Sequence, residues 1–403
     1  MQEVKPEIET FAKIKVFGIG GGGGSALNRM IQHRIRGVEF VAINTDLQAL
    51  QHSLADKKIH VGRTTTRGLG AGMNPEIGRK AAEESQNELR EILKGSDMVF
   101  ITYGLGGGTG TGSGPIIAEL AKEQGALTIA VVTKPFSFEG APRRQIADEG
   151  LENLKDKVDT LITIPNDRIW QIIDKKTPLL EAFSVVDEVL RQGVQGIAEL
   201  ITLPGLINVD FADVKTIMRE TGAALMGVGQ ATGENRAIEA AKAAISSPLL
   251  ELNIDGAKGI LFNIVGGNDI TMYEISEAAK VITESVDPDA KIIFGAVIDE
   301  ELKDEMKITV VATGFDPSVS FQEKPRVTHS VSPVTKDYFQ PEKEKKDPFP
   351  SVEKSQTPEP EKQAAQPAQS PAQAPAQAEQ PAADTESDDE DLEIPAFIRR
   401  KMM

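Results

Sequence analysis

The chain has 403 residues, no cysteine and a net charge of −17. That length allows two domains. The missing cysteines exclude disulfide frameworks and thiolate metal sites, and the acidity argues against a nucleic-acid binder, which would need a basic face. His33, His52, His60 and His329 are scattered without metal-ligand spacing, the polar start MQEVKPEIETF lacks a signal-peptide core, and no run of about 18 apolar residues is present to span a bilayer.

From Ile14 to about Pro165 short apolar runs alternate with helical periods. The runs IKVFGI, FVAIN, MVFITY, LTIAVV and TLITIP are near-continuous in Val, Ile and Leu. Such runs belong to strands buried on both faces, and the helical segments between them predict right-handed crossovers and a mostly parallel sheet. Two of these strands lead into glycine. Gly20–Gly24 follows IKVFGI, and LGGGTGTGSGP follows MVFITY, ahead of a helical pattern over Ile116–Lys122. Ordered glycine costs about 0.5–1 kcal/mol relative to alanine, so something must offset it. A strand, then glycines, then a helix start is an anion site: backbone amides converge there and the helix dipole favours negative charge. Two such loops on one sheet fit a nucleotide with several phosphates.

Alternatives stand beside this reading. Gly18, Gly20 and Gly23 also satisfy the dinucleotide G-x-G-x-x-G, with Asp46 ending the next strand, so a dinucleotide-dependent oxidoreductase competes. A single glycine turn suffices for that fold, which leaves Gly106–Gly112 unexplained. No Gly-Lys-Ser/Thr follows either loop, so a Walker P-loop is absent. A third cluster, RGLGAGMNPEIG (Gly68–Gly78), precedes another helix with Pro75 as a first-turn proline, and is either a further pocket wall or an ordinary loop.

Residues 179–203 read as one long helix, with Phe183, Val186, Leu190, Val194, Ile197 and Ile201 on one stripe. Gly193 and Gly196 lower its propensity by about 1 kcal/mol each, which predicts close packing there. Beyond PGLINVD, the helices AIEAAKAAISS and MYEISEAAKVITESV and the strands GILFNIVG, KIIFGAVID and KITVVATG predict a smaller α+β unit ending near Phe315. In NVDFADV, taken alone, Asp213 is a natural N-cap for the helix VKTIMRE and Asp210 an Asx-turn residue. From about Ser318 to Asp388 the composition is proline, glutamine, alanine and charge, too poor in apolar surface to offset ordering entropy. Disorder is expected there, with a root-mean-square span of roughly 45 Å. At the end, Ile394, Phe397 and Ile398 lie at i, i+3, i+4 before Arg399, Arg400 and Lys401, a pattern for helix-in-groove recognition. The acidic stretch before it argues against direct lipid binding.

Several segments together are recognisable. GGGTGTG resembles the signature of the tubulin and FtsZ superfamily of polymerising GTPases. FGIGGGGGSALNRM, AINTDLQAL, GLGAGMNPEIG, VVTKPFSFEG, TIPNDR, GVQGIAELIT, LINVDFADV and IPAFIRR resemble FtsZ-family segments in the same order, over roughly residues 11–317 and the last dozen. The resemblance implies an α/β fold: a parallel-sheet, Rossmann-like GTPase domain (12–178), a central helix (179–203), a smaller α+β domain with a catalytic loop (204–317), a disordered linker (318–388) and a partner-binding peptide (389–403), after a disordered segment (1–11).

It also implies roles. Gly20, Gly21, Gly22, Gly23, Gly104, Gly106, Gly107, Gly108, Thr109, Gly110 and Thr133 would hold the phosphates of GTP or GDP, with Asn44 and Asp46 on the same side. Ala71 and Gly72 would approach the γ-phosphate, Glu139 and Arg143 the ribose, Asn166 and Asp187 the guanine edge, and Phe183 would stack on the base. Ser25 stands where the family usually has asparagine. Asn208, Asp210 and Asp213 would act in trans on the next subunit's nucleotide, orienting water, with Mg²⁺ carried on the phosphates and no dedicated metal site. The implied protein is a cytoplasmic GTPase that polymerises head-to-tail and organises the midcell division ring in septation. It would bind FtsA-like or ZipA-like membrane adaptors through Asp391–Lys401 and answer to division regulators. A nucleotide-bound scaffold without turnover is the non-enzymatic alternative.

Overall fold

The five expected strands form, together with a short one at Lys57–His60 that the sequence reading passed over, and they pair side by side. β1 (Ile14–Ile19), β2 (Val38–Asn44), β3 (Lys57–His60), β4 (Met98–Gly104), β5 (Leu127–Lys134) and β6 (Thr160–Pro165) are all parallel, in the order β3-β2-β1-β4-β5-β6. The computed structural model describes residues 12–171, 173–174, 176–203, 205–247, 254, 256–300 and 302–315. The segments 1–11 and 318–388 and the peptide 389–403 lie outside the described residues. β1 is buried along its whole length, and its side chains alternate between two cores. Ile14 and Val16 join Leu27, Met30, Phe100 and Val131 on one face, and Phe17 and Ile19 join Val99, Ile101, Ile117 and Leu120 on the other. Burial on both faces is why these segments lack a polar alternation.

The crossovers are α1 (Gly20–Gln32), α2 (Leu47–Gln51), α3 (Arg63–Thr66), α4 (Pro75–Glu84), α5 (Gln86–Leu93), α6 (Gly108–Glu123) and α7 (Ala141–Lys155). The glycine runs expected as loops are instead the opening turns of α1 and α6. Packing is the reason. A Cβ on Gly112 would overlap the Pro75 carbonyl oxygen and lie 2.6 Å from Arg79 N, and one on Gly108 would lie 2.8 Å from Asn74 N. The glycines let α6 press its first turns onto α4, so packing offsets part of their entropic cost. Pro75 occupies the first turn of α4 as expected, behind an Asn74 cap whose Oδ1 accepts from Glu76 N at 3.0 Å.

The long helix is α8 (Leu179–Thr202). Val186, Leu190, Val194 and Ile197 are buried as its stripe predicts, but Phe183 departs from the stripe and is 40% exposed. Gly193 faces Met226 and Gly196 faces Thr309, where added Cβ atoms would lie 2.9 Å from Met226 Sδ and 2.7 Å from Thr309 Cγ2. Beyond α8 come α9 (Phe211–Met218), β7 (Gly222–Thr232), α10 (Arg236–Ile245), β8 (Gly259–Gly266), α11 (Met272–Thr283), β9 (Lys291–Ile298) and β10 (Glu305–Thr313). β10 lies antiparallel between β7 and β8, while β9 runs parallel to β8 at the edge. β7 also pairs with β6, in parallel, over Thr160↔Gly222 to Ile162↔Ala224. That short ladder joins the two strand groups into one ten-stranded sheet.

Candidate functional site

Because β1 and β4 are neighbours, the helices that follow them start side by side. Gly20 takes φ +69°, and a Cβ there would lie 3.3 Å from Gly110 N and 3.4 Å from Thr109 Cβ. Gly22 similarly approaches Gly104 N at 3.4 Å. Neither α1 nor α6 has a side-chain cap or an acidic residue in its first turn. The free amides of both helix starts therefore have no acceptor from a capping side chain, and two dipole ends add their positive potential at one place. Open space surrounds Gly21 and Gly24 on the outer side, and Ser25 is exposed next to them.

Other elements wall this floor. Ala71, in the connection from α3 to α4, is buried with its Cβ 2.9 Å from where a Gly108 Cβ would stand, and Gly72 takes φ +55° beside it. Gly106 takes φ +87°, donates its amide to Thr111 Oγ1 at 3.0 Å, and leaves room for Arg143, whose carbonyl oxygen a Cβ would approach to 2.7 Å. Gly107 is the N-cap of α6. Thr133 sits beside Gly104 in register, and its carbonyl accepts from Leu105 N at 2.8 Å. Asp46 caps α2, its Oδ1 accepting from Gln48 N at 2.9 Å and Ala49 N at 3.2 Å, while Asn44 Oδ1 accepts from Asp46 N at 3.2 Å. The acid that a dinucleotide reading needs for ribose is thus committed to a helix cap. Thr109 is nearly buried, its hydroxyl 2.6 Å from that of Thr45.

A second cluster lies further along α1, where it packs on α8. Arg29 is nine residues beyond Gly20, about 13 Å along the helix axis. Its charge acts on Asp187 of α8, whose carboxyl is pushed up to about 6, mainly by burial, against the pull of Arg29. Arg29 Nε and Asn166 Oδ1 are buried without a hydrogen-bond partner among the described residues. Asn166 opens a 3-10 turn, Asn166–Gln171, at the end of β6 and is 6% exposed. Phe183 meets Phe136 edge-on at 5.7 Å, and Phe136 stacks on the exposed Phe138 at 5.0 Å. Glu139 Oε1 accepts from Phe136 N at 2.9 Å, and its other oxygen pairs with Arg143 Nη1 at 3.1 Å. The groove thus offers free amides suited to an anion at one end, and at the other a buried amide oxygen and a reluctant carboxylate suited to the edge of a flat polar heterocycle.

The structure does not bring Asn208, Asp210 and Asp213 to this groove. They follow the far end of α8, about 22 Å along its axis from Asp187 to Thr202. Leu206 N donates to the Ala296 carbonyl of β9 at 2.8 Å, and Gly205 N donates to Asn208 Oδ1 at 2.6 Å. Asp210, not Asp213, caps α9, its Oδ1 accepting from Ala212 N at 3.3 Å; the helix begins at Phe211, which puts Asp213 in the first turn. All three side chains are exposed. Sequence reasoning passed over Arg29, Thr45, Phe136 and Phe138. The aromatic pair had a local signal in PFSFEG, whereas Arg29 and Thr45 acquire neighbours only through tertiary folding.

Comparison with known proteins agrees with this architecture. Residues 13–174 match the family model "Tubulin/FtsZ family, GTPase domain", and residues 222–316 match "FtsZ family, C-terminal domain". The empty FtsZ dimer of M. jannaschii is 50% identical over 78% of this chain and 92% of that chain, with a TM-score of 0.75. A point mutant of the same FtsZ is 51% identical over 76% of this chain and 92% of that chain, with a TM-score of 0.74. CetZ2 from Haloferax volcanii, a GTPγS-bound protofilament, is 22% identical over 76% of this chain and 94% of that one; its TM-score of 0.64 speaks for the fold alone. With both family domains matched in order around α8, and half of the aligned residues shared with a solved FtsZ, the chain belongs to the FtsZ family of tubulin-like GTPases.

Proposed function

We propose that this chain binds GTP in the groove between α1, α6 and α8 and hydrolyses it to GDP and phosphate when a second copy docks head-to-tail. One observation carries the reading: the groove reaches α8 at Asp187, in the first half of that helix, whereas the exposed acids Asp210 and Asp213 follow its last turn. One chain cannot bring them together, whereas a head-to-tail neighbour can. The FtsZ relative solved as a dimer supports self-association, and the more distant CetZ2 was solved as a GTPγS-bound protofilament. The contact is heterologous, so it propagates as an open filament.

In the assembled site the amides of Gly20–Gly23 and Gly107–Gly110 take the phosphates, while the Gly106 amide stays on Thr111 Oγ1. Asn166 and Asp187 take the base edge, a carboxylate accepting from guanine N1–H and its exocyclic amine, which adenine cannot match. Asn208, Asp210 and Asp213 of the neighbour orient the attacking water, and a carboxylate of Asp210 or Asp213 receives its proton as the γ-phosphorus to bridging-oxygen bond breaks. Among the described residues no group of His, Asp and Glu forms an ion cage. Mg²⁺ would be carried chiefly by the nucleotide phosphates and would offset their charge. The cellular role that follows is a cytoplasmic, division-ring filament in septation, tethered by membrane adaptors through Asp391–Lys401.

Asp213→Ala should lower phosphate release by about 100-fold or more while GTP remains bound. Unchanged release by the variant would remove the acids from the mechanism.

A further inference from the structure

We propose that Thr45 is a positioning residue for nucleotide binding: it donates a hydrogen bond that frees the proton of Thr109 for a phosphate oxygen. The inference deepens the triphosphate reading of the groove and rests on it. Thr45 follows β2 directly and is fully buried, with its hydroxyl 2.6 Å from that of Thr109, the second residue of α6. Its backbone is pinned from two sides. The Thr45 carbonyl accepts from His60 Nε2 at 3.3 Å and from Thr66 Oγ1 at 3.3 Å. Asn44 before it accepts from Val61 N at 3.1 Å, so the turn cannot drift away from α6.

Hydroxyl geometry allows two directions for this bond. If Thr109 donates, its proton is spent inside the protein, and the Thr45 proton is buried with no acceptor among the described residues, which is unfavourable. If Thr45 donates, every proton finds an acceptor once an anion sits on the helix start, because Thr109 then points its own proton outward. The second arrangement is selected by burial and by the ligand together. The bond also ties the β2 end, and through Thr66 the last residue of α3, to the phosphate floor. Thr45 therefore acts through Thr109 and touches no nucleotide itself.

The test is a double-mutant cycle on nucleotide affinity, measured calorimetrically with GTP on the full chain: wild type, Thr45→Val, Thr45→Ser, Thr109→Val and the Thr45→Val/Thr109→Val pair. Valine keeps the shape of threonine and removes the hydroxyl. Thr45→Val leaves the Thr109 proton in place but removes the donor that orients it, so GTP binding should weaken severalfold, with the about tenfold worth of one bond to a charged acceptor as the ceiling, and Thr45→Ser should stay within about twofold of wild type. The double variant should bind no more weakly than Thr109→Val alone. Additive losses, or wild-type affinity in Thr45→Val, would overturn the inference. Should valine not be tolerated, Thr45→Ala carries the same expectation, with apo melting temperature read alongside. Failure of the wild type to bind GTP would instead sink the reading of the groove as a triphosphate site.

Discussion

Asp187 shows how one side chain ties pH to binding. Its carboxyl is pushed up from 3.8 to about 6, so it is protonated below that pH and ionised above it. Guanine needs the ionised acceptor, and GTP affinity should fall as pH is lowered through 6, as fluorescence titration against pH would show. Apo stability runs the opposite way. The folded chain holds a proton that the unfolded carboxyl has already lost, so this group favours folding toward pH 4 and costs stability above about 6. Asp187→Asn should therefore raise the apo melting temperature at pH 7.5, by the equivalent of about 1–3 kcal/mol, leave it little changed at pH 4, and weaken GTP binding. Binding of xanthosine triphosphate, which carries a carbonyl where guanine has its amine, should be regained. The sequence showed Asp187 as a helix residue whose role came from resemblance alone. Its partner Arg29 was invisible because it lies on α1, and nothing local marks a contact that only folding creates.

The elements were more legible. The two-face burial of the parallel strands left an unbroken apolar signal, and the spacing along α8 marked its buried stripe. β7 was missed because GAALMGVGQAT has small residues where strands usually announce themselves with branched ones. The cause is packing: a Cβ on Gly229 would overlap the Ala240 carbonyl of α10. The same logic moved the glycine runs from loop to helix. Gly112→Ala should destabilise the fold by about 1–3 kcal/mol despite alanine's better helix propensity, since the backbone of α4 stands in the way. Gly196→Ala should cost more than Gly193→Ala in thermal denaturation. A methyl at Gly193 meets the flexible end of Met226, whereas one at Gly196 meets the stiff branched side chain of Thr309.

At the scale of the whole molecule, α8 holds binding and chemistry apart. The base pocket draws on its first half, the acids follow its last turn, and the helix length sets the distance between them. Under the proposed reading a lone chain carries nucleotide without the groups to cleave it, and turnover per chain should vanish below a threshold concentration. The sequence contained both halves of the site, glycines and acids, but not their separation, because that depends on where α8 lies on the sheet. The most direct measurement of this sharing mixes two inactive variants: Asp213→Ala, which keeps the pocket, and Asp187→Ala, which keeps the acids. Phosphate release from co-sedimented mixtures should recover well above the sum of the separate rates, since the second variant's loop completes the first variant's pocket. A mixture that co-assembles yet releases phosphate no faster than that sum would contradict a site shared between neighbours.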